Sequence, residues 1–233
     1  MTEDAEEAPV AAIPERAPIQ GLFAAAVHRF GAVWADLIVV SVAALAIATI
    51  PVLAVHHGGG GVSQTALIGR FTYGIAYFCV VGFVMLRGLP APAPPRRVVW
   101  TYATAGIVGI MASVLLQFFG VLAIVPVPLL MFAVPAMAAG DVQPGGAVAY
   151  SAVLAVRNFS RTWFVWLVTI LFSAPIGVAM FLVVYAFAST STSILVGGAL
   201  AAPIVWPFSA LFTRALYGDL TGRAVVAPED RTM

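Results

Sequence analysis

Apolar residues run in long blocks along this chain, and nearly all the charged residues fall between the blocks. The longest block, Val98 to Ala139, contains no Asp, Glu, Lys, Arg or His. A helix rises about 1.5 Å per residue and a bilayer core is roughly 30 Å thick, so this block has the length for two crossings. Gly120, after Gln117, Phe118 and Phe119, is the natural turning point between them. The other blocks predict further crossings: about Val33 to Val55, with Trp34 at headgroup level, and about Phe71 to Leu89, entered after Arg70. A fifth runs from about Thr162 to Ala188, introduced by Trp163 and Trp166. A sixth runs from about Ile194 to Thr213 and ends at Arg214. The predicted fold is all-α, a polytopic transmembrane bundle of six spans (19–216) between an acidic tail (1–18) and a short second tail (217–233).

Two shorter patterns flank these spans. From Ile19 to Phe30, apolar Leu22, Phe23, Ala26 and Phe30 recur at helical spacing with His28 and Arg29 opposite. This predicts either a short interfacial helix or an extension of span one. From Ala147 to Phe159, Ser151 and Asn158 lie seven apart on one face with Arg157 and Arg161 beside it, which predicts an elbow helix between spans four and five. The linker from Arg87 to Arg97 is Pro-rich and reads as a stiff connector. Ser189 to Ser193 reads as an uncharged turn.

Composition agrees with the pattern. The 233 residues are 62% hydrophobic and 9% charged, against about 25% charged in soluble domains, which excludes a water-soluble fold. The acidic first residues read as a solvated tail, unlike the basic start of a signal peptide, so no cleavage is expected. All eleven basic residues are Arg, a usage that fits a GC-rich bacterium. Net charge is only +1, but its distribution is informative. With the first residues inside, six spans put every Arg except Arg70 on the cytoplasmic side, the arrangement the positive-inside rule favours. Five spans would divide Arg87, Arg96 and Arg97 from Arg157 and Arg161. The expected location is therefore a bacterial inner membrane, with both ends cytoplasmic.

Chemistry is sparse. The single Cys79 lies in an apolar run and allows no internal disulfide. His56 and His57 are adjacent, so their side chains diverge, and no carboxylate or thiol accompanies them. No cofactor, metal or catalytic motif is present, and neither an enzyme nor a nucleic-acid partner is expected. Small residues four apart, such as Ala105 and Gly109 or Gly197 and Ala201, predict close helix packing. Prolines 126, 128, 135, 175, 203 and 207 predict kinks that free backbone carbonyls. Asp36 is the one acid within a span, close enough to Trp34 to reach the interface and pair with an Arg. Asp219 is expected to pair with Arg223 four residues on, and Asp141 with an elbow arginine. Arg96, Arg97, Arg157, Arg161, Arg214 and Arg223 then form a basic rim for anionic lipid headgroups.

The segments Pro135 to Asp141, Ala147 to Ser151 with Arg157 and Trp163, and Pro207-Phe208 through Leu216-Tyr217-Gly218-Asp219-Leu220-Thr221-Gly222-Arg223 carry a resemblance. They resemble uncharacterised six-span bacterial proteins grouped with the membrane region of glycerophosphoryl diester phosphodiesterases. In that family an acid follows span four, a helix with a central Ser leads to an aromatic-rich fifth span, and a Tyr-x-Asp-Leu-Arg-x-Arg tail follows span six. Thr221 stands where the family has Arg, and Tyr150 where a basic residue is common. The phosphodiesterase chemistry belongs to a separate soluble barrel, so the resemblance implies a membrane module without hydrolase activity. Two functions follow as expectations: a non-enzymatic bundle that organises envelope proteins, further copies of itself or anionic lipids, or a small transporter or export component using the kinked spans four to six.

Overall fold

A computed structural model describes residues 16–187 and 190–222. Seven α-helices make up the described chain, and five of them are long and apolar enough to cross a membrane. They are α1 (Ile19–His57), α2 (Val62–Arg87), α3 (Pro95–Phe119), α6 (Phe159–Tyr185) and α7 (Thr190–Leu220). The short ones are α4 (Ala133–Ala139) and α5 (Ala147–Arg157).

Helix α1 has 39 residues, about 58 Å of helix and nearly twice a bilayer core. It is bent where Val33 leaves helical geometry (φ −128°, ψ 15°). The 19–30 pattern and span one are thus two arms of one helix joined at a bend. The first arm buries Leu22 and Ala26, and Phe23 sits edge-on to Phe172, Phe208 and Phe212. The second arm runs along α2, which begins nine residues before the predicted start and so takes Arg70 within it.

Helices α2 and α3 approach at two glycines. A Cβ on Gly109 would stand 2.6 Å from the Cα of Ile75, and one on Gly74 would stand 2.5 Å from Ser113 Oγ. Only glycine admits backbones this close, the use small residues serve in lipid. Ser113 Oγ lies 3.0 Å from the carbonyl of Arg70 and 2.7 Å from that of Gly109, so its one hydroxyl can bridge the two helices.

The second half of the charge-free block departs from the expected helical span. After Gly120, at φ 54°, the chain forms 3-10 turns at Gly120–Ile124 and Val127–Leu130 before the seven residues of α4. Pro126 and Pro128 are the cause: proline has no N–H to give and its ring clashes with the preceding turn, so a regular helix cannot form across them. Pro135 is tolerated because it falls in the first turn of α4, where amides lack intrahelical partners anyway. The broken segment still retraces α3. It leaves from the Phe119 end and arrives at Gly140, where a Cβ would stand 2.9 Å from the guanidinium carbon of Arg97 at the α3 start. Its second part is closely enclosed: Phe132, Ala133, Val134, Ala136 and Ala138 are fully buried.

Helix α5 then leads to α6, which packs on α7 with Gly197 set against the backbone of Phe181. The lipid-compatible outer face of α6 carries Leu171, Val178, Leu182 and Val183. Helix α7 is the opposite case. Phe208, Phe212, Leu216 and Tyr217 are all buried, so the helix continues past residue 216 and Tyr217 belongs to the core.

Candidate functional site

Polar chemistry gathers at one end of the bundle, where α1, α3 and α6 begin and α2, α4 and α7 finish. Asp219 sits at its centre. Its Oδ1 accepts the Ala17 amide (2.9 Å), and Oδ2 lies 3.1 Å from an Arg161 guanidinium nitrogen. Arg161 also donates to the carbonyl of Ala17. Both side chains are largely buried, at 6% and 17% exposure. One ion pair thus holds the main chain at the start of α1 between the start of α6 and the end of α7. Arg223, the expected partner of Asp219, lies outside the described residues.

Asp141, just past α4, accepts a hydrogen bond from the Tyr217 hydroxyl, and the Tyr217 ring packs on Phe132. This joins the end of the broken segment to the end of α7. Arg214 reaches across to α2, donating to the Gly88 carbonyl (2.7 Å) and lying 3.4 Å from that of Val84. The last carbonyls of a helix have no intrahelical donors and carry partial negative charge, so a guanidinium there is a cap. Arg97 similarly covers Gly140, the left-handed residue that ends α4.

Asp36 forms an ion pair with Arg87 (2.5 Å), and the Arg87 guanidinium lies 5.8 Å over the Phe83 ring. Both partners are about half exposed. Arg96 and Arg157 are exposed. Of the six rim arginines, then, Arg161 and Arg214 turn inward to partners within the chain, Arg97 lies on the end of α4, and Arg96 and Arg157 face outward. At the opposite end, Arg70 donates to Gln117 (2.6 Å), tying α2 to the end of α3.

The break in the 120–139 segment has its own solution. Ser151, fully buried at the centre of α5, accepts from the Phe132 amide (2.9 Å) and donates to the Leu129 carbonyl (2.6 Å). Away from water, an unsatisfied backbone group costs several kcal/mol, on the order of a lost hydrogen bond in hydrocarbon. One hydroxyl covers one orphan of each kind. The sequence pointed at this residue only as a lone Ser in an otherwise apolar helix, and Tyr217 only as a neighbour of Asp219; neither pattern named a partner.

Five long apolar helices around a core rich in Ala, Val and Phe mark a multi-pass helical membrane protein. In comparisons with known proteins, the chain matches no family, no curated protein and no solved structure.

Proposed function

We propose that this chain is a non-enzymatic, six-pass bundle of a bacterial inner membrane, with Arg16 and Thr221 on the cytoplasmic side, that holds anionic lipid or an envelope-protein partner at its arginine-bearing end. One observation carries the reading. The contacts of Asp219 with Ala17 and Arg161, Arg214 with Gly88, Arg97 with Gly140 and Tyr217 with Asp141 bring six chain segments to a single end, while Arg70 lies with Gln117 at the other. That sorting supports counting the 120–139 segment as a pass, and it concentrates Arg where cytoplasmic loops carry it. The likeness of the Tyr217 to Leu220 stretch to the membrane region of phosphodiesterase-linked bacterial proteins supports the same reading. A transporter would use the broken pass to present free backbone groups to a substrate. Here Ser151 already takes the Phe132 amide and the Leu129 carbonyl, which favours a structural role for the break.

Two measurements test the proposal. In a Cys79→Ala background, single cysteines at Ala93 and Gly145 should resist an impermeant thiol reagent on intact cells, while one at Ser63 should react; labelling of Gly145→Cys but not Ala93→Cys would remove a pass. Purification in mild detergent, followed by mass spectrometry of what remains bound, should find phosphatidylglycerol or cardiolipin enriched over its share of the membrane. A bound-lipid profile equal to the bulk membrane, with no protein partner, would overturn the function.

A further inference from the structure

The first arm of α1 crosses the end of the bundle between two anchors. At one, Ala17 is held by Asp219 and Arg161; at the other, Asp36 pairs with Arg87 in the last turn of α2. Arg29 lies between them, about two helical turns before Asp36. The ring of the next residue, Phe30, stands 6.5 Å from that of Phe208 on α7. In this corner, where α1 meets α2 and α7, Arg214 also ends: its guanidinium lies on the carbonyl of Gly88, the chain neighbour of Arg87. The Arg29 charge is close enough to act on that of Arg214. Two guanidinium groups from different helices thus share one corner.

No acid balances them. Asp36, Asp141 and Asp219 are the three acids among the described residues, and they engage Arg87, Tyr217 and Arg161. Arg214 has carbonyl acceptors on α2, but the partly buried Arg29 has neither a hydrogen bond nor an ion pair among the described residues. A partly enclosed guanidinium with unmatched donors beside a second cation is costly unless a bound group supplies the acceptors. Both side chains keep some exposure, so such a group can reach them. The forks of two arginines match an anion that offers several oxygens, phosphate above all. Trp34, exposed between Arg29 and Asp36 on the same helix, marks headgroup depth, where lipid phosphodiesters lie.

We infer that Arg29 and Arg214 form a seat for one phosphate group, carried by an anionic glycerophospholipid or present as free phosphate, at the corner of α1, α2 and α7. This rests on the anionic-lipid reading above and assigns it a location.

The full chain, purified and delipidated in mild detergent, can be titrated with dioleoyl phosphatidylglycerol, dioleoyl phosphatidylcholine or inorganic phosphate, and followed by thermal unfolding and native mass spectrometry. Phosphatidylglycerol should raise the unfolding midpoint more than phosphatidylcholine, whose choline brings a third cation to the corner. Arg29→Gln should weaken the first phosphatidylglycerol adduct roughly five-fold, the worth of one arginine near a headgroup. Without lipid, the same variant should be at least as stable as the wild type, because it removes a repulsion. A residue with only a packing role would lower the midpoint with and without lipid, and that result overturns the seat. Arg29→Lys, which keeps the charge and loses the fork, should fall between. Arg70→Gln, at the opposite end of the bundle, should leave the adduct unchanged. If inorganic phosphate gives the whole Arg29-dependent shift and phosphatidylglycerol adds nothing, the seat stands with soluble phosphate as its occupant. A wild-type response of Arg29→Gln to both phosphatidylglycerol and phosphate overturns the seat. If anionic lipid still copurifies with the native protein in that case, the broader reading stands and only the location falls.

Discussion

Ser151 Oγ lies 2.9 Å from the amide nitrogen of Phe132, and through it the short helix α5 closes the gap in the broken 120–139 segment. Ser151→Ala would leave that amide and the Leu129 carbonyl without partners in a site with no exposure. Each orphan costs about 1–3 kcal/mol. The expected outcome is a large fall in the temperature at which the purified protein leaves the monodisperse peak in size exclusion. An unchanged midpoint would mean that another group takes over both bonds.

The ion pair between Arg161 and Asp219 is enclosed enough for removal of one partner to matter more than removal of both. Asp219→Ala strands a buried guanidinium, and breaking such a pair costs about 3–5 kcal/mol. Arg161→Met with Asp219→Ala should recover part of the loss. A double-variant cycle with additive single effects would place the pair among contacts that contribute nothing. Because both residues also hold the Ala17 main chain, each single variant should speed proteolysis near the start of α1.

Two glycines on α3 make opposite predictions. Gly109→Ala drives a methyl to 2.6 Å from the Ile75 backbone, so α2 and α3 must separate at a cost of about 1–3 kcal/mol. Gly106→Ala meets nothing within 4 Å and should leave stability equal or up to about 1 kcal/mol higher, since alanine is the better helix former. Thermal scans of the two variants side by side decide it. Equal destabilisation would show that the helix contact lies elsewhere.

Asp36→Asn should be mild. Its pair with Arg87 is half exposed on both sides, and such pairs contribute about 0–1 kcal/mol. A transporter using Asp36 as a proton or ion site would instead lose all activity at normal protein abundance. Growth or transport assays on cells carrying Asp36→Asn separate these outcomes, provided that membrane levels are matched by immunoblot.

Much of the architecture was legible from single residues because transfer into a bilayer depends mainly on the segment's own composition. A run such as Val98 to Ala139 is apolar whatever it packs against, so five of the long helices follow from length and hydropathy. The prolines at 126 and 128 announced a break for the same local reason. What closes the break was not local. The geometry of Phe132 and Leu129 acquires meaning only when α5 folds back to place Ser151 over them. Asp219 had an expected partner in Arg223, which lies outside the described residues, but nothing local pointed to its contacts with Arg161 and the Ala17 backbone, brought to it by two other helices. Arg214 looked like a free cytoplasmic charge until its reach to the end of α2, 126 residues earlier, became visible. Hydropathy is a property of a segment, whereas a capped carbonyl or a paired carboxylate is a property of two segments meeting, and only the tertiary structure decides which segments meet.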